Sequence, residues 1–100
     1  MSEEFVSLDV EQLEAVEGGM CADARCIMMH ESGGNRFAKN RHSSAFGAFQ
    51  MLRVNRKQYM GEHWRSTDLN RQYAGATRYV NARYGNWHNA RMFWQRHHWY

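Results

Sequence analysis

The sequence predicts a small, mainly α-helical domain over residues 20–100, preceded by an acidic N-terminal segment, residues 1–19, that is either disordered or a single helix. Three observations predict it. The charge changes sign at Gly18-Gly19. Residues 1–19 carry six carboxylates and no Lys or Arg, a net −6, while residues 20–100 carry all 13 Lys and Arg against four carboxylates, a net +9. Beyond the glycines, apolar residues recur at helical spacing in several stretches. No stretch alternates apolar and polar residues for long enough to make a strand, and there is no internal repeat or low-complexity tract. The 81 residues after Gly19 suit one domain with a modest core, in which each large side chain counts.

In the acidic segment, Phe5, Leu8, Leu13 and Val16 lie mostly along one side of a helix, with Glu, Asp, Ser and Gln among them. The run stops at Gly18-Gly19. Glycine lets an extended backbone enter a narrow protease cleft, since no Cβ obstructs it. A helix that docks its apolar stripe in a groove and then presents Gly-Gly is a processing signal with a mechanism. The alternative is an ordinary amphipathic helix with a glycine cap. A Sec signal peptide is excluded, because a basic n-region and a continuous apolar h-region are both missing. No stretch approaches membrane-spanning length.

The spacing then predicts a helix over residues 22–31, with Ala24, Ile27, Met28 and Glu31 on one stripe. Ser32-Gly33-Gly34-Asn35 ends it, and a loop rich in Ser, Asn, Gly and Arg runs to about Phe46. Ala48 to Tyr59 reads as one or two brief helical turns, and Gly61 to Ser66 as a connection. Ser66 or Thr67 caps a long helix to about Arg83, with Leu69, Tyr73, Ala76 and Val80 on one face. Tyr84-Gly85 stops it. Asn86 or Trp87 opens a last helix carrying Ala90, Phe93, Trp94 and His97. The terminal Trp99-Tyr100 is expected to pack back on the domain.

Glu31 carries the chemistry. It is a lone carboxylate on an apolar face, followed by small residues that leave room for a bulky polymer. Burial disfavours its charged form, raises its pKa, and so keeps a proton available for a leaving-group oxygen. The commoner reading of such a residue is a solvated helix-terminal Glu before a glycine cap. Downstream, residues 43–50 supply two hydroxyls, two rings and the Gln50 amide, groups that hydrogen-bond and stack on sugars.

Two resemblances follow from these residues. Residues 1–19 resemble the double-glycine leader of bacteriocins, in which an exporting ABC transporter with a cysteine-protease domain cuts after the second glycine. That resemblance implies a secreted domain beginning at Met20. Second, His30-Glu31-Ser32-Gly33-Gly34-Asn35 followed by Ser44-Ala45-Phe46-Gly47-Ala48-Phe49-Gln50 resembles the glutamate and Gly-x-x-Gln motifs of lytic transglycosylases and goose-type lysozymes. Small wall-lytic and aggregation-promoting proteins of lactic acid bacteria end in a segment similar to residues 79–87 and a terminal Trp99-Tyr100. This resemblance implies a lysozyme-like fold and cleavage of the β-1,4 bond between N-acetylmuramic acid and N-acetylglucosamine in peptidoglycan. It makes Glu31 the catalytic acid and base, and Ser44, Gln50 and Tyr79 or Tyr84 substrate-binding residues. It implies no cofactor. Asp23, Glu62 and Asp68 are the other carboxylates of the domain. Hydrolysis by two carboxylates needs one of them in the cleft, whereas a single-glutamate transglycosylase needs none, which favours the latter. The chain departs from the family in having no Pro: Arg36, Arg41 and Arg53 stand where relatives usually carry it, and a looser loop beside Glu31 is expected.

The basic, aromatic domain suits an anionic partner such as wall polymers with their teichoic acids. A non-enzymatic cationic bacteriocin or wall-binding module on the same fold is the alternative function. Nucleic acid is disfavoured, because no RNA- or DNA-binding motif occurs and the leader is left unexplained. Cys21 and Cys26 form a disulfide only if Cys21 lies outside the helix; otherwise they are thiols. The six His show no His-x3-His spacing, so no metal site is expected.

Overall fold

The computed structural model describes residues 19–100. The acidic segment and Gly18 lie outside the described residues. Gly19 is exposed, and Met20 already packs in the core.

The described residues are mainly helical. Helix α1 spans Ala22–Ser32, α2 Arg53–Met60, α3 Leu69–Tyr84 and α4 Trp87–His97, with a 3-10 turn at Gly61–His63 after α2. The expected stripe of α1 is present: Ala24, Ile27 and Met28 are fully buried, and Glu31 is half-buried at its end. Gly33 closes the helix in the left-handed region (φ 67°), returning its N–H to the Met29 carbonyl. Helix α2 is one continuous eight-residue helix, about two turns as expected, confined to the second half of the expected stretch. Helix α3 starts later than expected, because the Asp68 carboxylate, and not Ser66 or Thr67, accepts from the Arg71 N–H at 3.0 Å. A carboxylate caps a helix N-terminus well and also suits its dipole. The Ser66 hydroxyl acts one step earlier, accepting from the Asp68 N–H. Asn86 caps α4 as expected, accepting from Asn89 N–H at 2.8 Å.

Helix α1 packs on α4, α2 on α3, and α3 on α4. The core gathers around Phe49, a loop residue only 1% exposed. Its ring lies 5.8 Å from Tyr73 and 5.6 Å from Trp87. The long loop between α1 and α2 therefore supplies core, and it has to be fixed.

Side chains fix it. The Ser32 hydroxyl donates to the Ala48 carbonyl at 2.6 Å and accepts from the Gly34 N–H. Gln72 of α3 accepts from the Ala48 N–H and donates to the Arg36 and Ser66 carbonyls. Gly47 sits at φ 87°, and a Cβ there would come within 2.8 Å of the Gln72 amide. Isolated bridges join Lys39 to Phe46 and Phe46 to Met51, with no longer strand among the described residues. The expected looseness after Glu31 is countered at Arg36, whose guanidinium donates to the Thr67 carbonyl at 2.9 Å.

Of the two states left open for the cysteines, the thiols are present. Cys21 is extended and precedes α1, the geometry a bridge requires, yet Cys21 and Cys26 are both free thiols. Cys21 is exposed, whereas Cys26 lies against Arg91 of α4. The terminal pair packs back on the domain: Tyr100 enters the core, and Trp99, 49% exposed, sets its ring 4.7 Å from Phe93. Among the described residues no helix is long and apolar enough to cross a membrane.

Candidate functional site

Helix α1 ends by carrying Glu31 to the junction with α4. There the Trp94 indole N–H donates to Glu31 Oε2 at 2.8 Å, and the His30 ring stacks on Trp94 with centroids 4.5 Å apart. Burial raises the Glu31 pKa above its ordinary value of 4.5; the Trp94 hydrogen bond and the His30 charge oppose that rise. Desolvation is the largest of these effects, so the proton is held more tightly than in water.

Three tyrosines extend the site. The Tyr100 hydroxyl is buried and donates to the Phe49 carbonyl at 2.6 Å. Its pKa is pushed well above 10 by burial first and then by the Glu31 charge. The Tyr79 ring stands 5.7 Å from Tyr100 and 6.5 Å from Tyr84. The Tyr84 pKa is pushed up to about 12, mainly by burial and then by Tyr79. Its buried hydroxyl faces Tyr79 and Arg83 without a well-formed hydrogen bond to either. The raised Tyr84 and Tyr100 phenols stay protonated at neutral pH, and the Tyr79 hydroxyl accepts from Arg83 Nη1 at 3.3 Å.

Gln50 shares a cavity with Tyr79 and Tyr100. A cavity of about 130 Å³ is lined by Gln50, Asn55, Tyr79, Arg83, Trp99 and Tyr100 among others. Glu31 itself does not line this cavity. Gln50 itself adopts a left-handed conformation (φ 51°), and its amide nitrogen donates to the Ala38 and Gly47 carbonyls. Only its Oε1 is left to meet a ligand.

Ser44 is not brought to this place. Its hydroxyl accepts from the Arg53 N–H at 3.0 Å, and it lines a separate cavity of about 460 Å³ beside α2. The other carboxylates are engaged elsewhere. Asp23 pairs with Arg91 at 3.1 Å and with His88 at 3.7 Å, Glu62 is exposed beside His63, and Asp68 caps α3. Among the described residues no group of three His, Cys, Asp or Glu could hold a metal ion.

Sequence reasoning counted Trp94 as core and gave Tyr100 no part in the site. The missed signal was chemical: a buried indole N–H needs an acceptor, and the lone carboxylate on a neighbouring stripe is one. No family model, curated protein or solved structure matches the chain, so the site rests on its own geometry.

Proposed function

We propose that this chain is a secreted glycosidase of the bacterial wall, a lytic bacteriocin that cuts the β-1,4 bond between N-acetylmuramic acid and N-acetylglucosamine on a lysozyme-like fold. Residues 1–19 serve as the double-glycine leader removed by the exporting transporter, and residues 20–100 act on peptidoglycan outside the cell. The observation that carries this reading is the state of Glu31: a half-buried carboxyl of raised pKa, oriented by the Trp94 indole. Protonated Glu31 gives its proton to the bridge oxygen as the glycosidic bond breaks. The resulting carboxylate then takes the proton of the C6 hydroxyl, whose oxygen closes an anhydro ring on the sugar. This step needs no second carboxylate, which agrees with the engagement of Asp23, Glu62 and Asp68 elsewhere. Gln50 and Tyr79 are assigned to substrate binding at the smaller cavity, which they line, and Tyr84, whose ring stands 6.5 Å from Tyr79, to the same role beside it.

The test is digestion of purified peptidoglycan by the full chain, wild type and Glu31→Gln, with fragments read by mass spectrometry. Anhydro-muropeptides from the wild type alone are the expected result, and free reducing ends indicate hydrolysis. No release by the wild type overturns the enzyme.

A second reading is a non-enzymatic cationic wall-binding module. It is favoured by the separation of Ser44 from Gln50, which line different cavities. Killing by Glu31→Gln equal to that of the wild type selects it.

A further inference from the structure

We propose that the 460 Å³ cavity beside α2 is a binding site for a phosphodiester-linked polyol polymer, held through its phosphates. Lys39, Arg53, Arg56 and Arg65 line it, and no Asp or Glu does. Arg56 is the fixed point. It is 7% exposed, and its guanidinium donates from Nε to the Met51 carbonyl, from Nη1 to Trp64 and from Nη2 to Ser44. A guanidinium has five N–H groups, so these three bonds orient it without using every donor. The charge that acts on Arg56 is that of Arg53, which has the same sign.

Crowding like charges in one cavity raises the energy of the empty site, and an anion relieves it. Arginine forks match phosphate oxygens two at a time, and the Ser43 and Asn40 side chains lining the cavity add neutral donors. The folding role of Arg56 is evident from its three carbonyls. Arg53 and Arg65 are exposed and fasten no other segment by their side chains, so folding alone does not account for their convergence here.

The aromatic rings decide the class of polymer. Nucleic acids bind such basic grooves by stacking bases on open rings. Here the rings are taken: Arg56, Lys57 and Arg65 lie 5.5, 4.8 and 4.5 Å from the Trp64 ring centre, and Arg56 lies 5.5 Å from that of Phe46. Phosphates can enter, but bases have no platform. A chain of polyol phosphates carries the charge without bases. The site does not depend on Glu31, which does not line this cavity.

Calorimetric titration of the full chain with a synthetic poly(glycerol phosphate) of defined length is the test. The Arg53→Gln/Arg65→Gln pair is expected to bind at least about tenfold more weakly, the loss of two charge-assisted contacts. Arg25→Gln/Arg96→Gln removes the same charge from exposed positions outside the cavity and is expected to bind like the wild type. An equal loss in both pairs overturns the site and leaves diffuse attraction. Glu31→Gln is expected to bind normally even where it abolishes cleavage, and a matching loss there overturns a separate site. Tighter binding of single-stranded DNA with equal phosphate number, lost in the cavity pair, overturns the polymer class. Arg65→Gln alone carries the same test, with a loss of about threefold, should the pair lower stability.

Discussion

At the scale of the residue, the indole of Trp94 and the desolvation of Glu31 pull the same proton in opposite directions, and desolvation wins. Trp94→Phe removes the donor but keeps an aromatic body. The Glu31 pKa is then expected to rise further, moving the alkaline limb of the pH–activity curve upward, which carboxyl NMR titration checks directly. The same shift sets a stability trend. The folded-state pKa lies above the ordinary 4.5, so the contribution of Glu31 to stability is complete below that value and is lost as pH rises through the folded pKa. Glu31→Gln is expected to lack that decline in thermal unfolding measured across pH. A flat profile in the wild type would contradict a buried, raised carboxyl. Beside it, Ser32 contributes geometry rather than chemistry. Ser32→Ala leaves the Ala48 carbonyl and the Gly34 N–H without their partner. A cost of about 1–3 kcal/mol is expected in denaturant unfolding.

The elements show how local signals and long-range bonds divide the labour. The caps of α3 and α4 lie in the chain itself: Asp68→Ala is expected to cost about 1 kcal/mol, measured as a shift of the urea midpoint. The α1–α2 loop has local turns, closed by the Asn35, Asn40 and Ser43 side chains, but its docking on the core is set from outside. Gln72, on another element, holds three of its neighbours' backbone groups, at Arg36, Ala48 and Ser66. Gly47→Ala meets both a left-handed backbone and the Gln72 amide. It is expected to destabilise the protein more than Asp68→Ala does, and similar midpoints for the two would show that the loop accommodates a Cβ freely. The helix stripes were legible because a 3.6-residue period places Ala24, Ile27 and Met28, or Leu69, Ala76 and Val80, on one face whatever they pack against. The cap of α3 was misread by one or two residues because Ser66, Thr67 and Asp68 are adjacent capping residues, and only the register of the helix chooses among them.

Across the whole molecule, charge and burial are arranged on two separate cavities. The smaller is lined by Tyr79 and Tyr100 beside Gln50, while the larger is cationic and centred on Arg56. Under the proposed function, the smaller serves the glycan and the larger the anionic polymers around it. Wall binding is expected to fall steeply with added salt, because exposed cations are screened within about 10 Å at 0.1 M. Cleavage of short uncharged glycan fragments is expected to respond less, and pull-down and digestion at graded salt separate the two. Processing is tested separately: a Gly18→Lys precursor is expected to resist the exporter's protease, seen as an unshifted mass in the medium.

By itself the sequence determined the helical class, the order and faces of the helices, the charge division at Gly18-Gly19, and Glu31 as the one carboxyl on an apolar stripe. Each of these depends on neighbours within a few turns of chain, so local spacing suffices. Only the tertiary structure decided that Trp94 reaches Glu31 across 63 positions, that Tyr100 joins Tyr79 and Gln50 at one cavity, that Ser44 and Gln50 part company, and that four cations converge beside α2. Those outcomes depend on which helix faces pack together and on how Ser32 and Gln72 fold one loop, and no period in the chain encodes either.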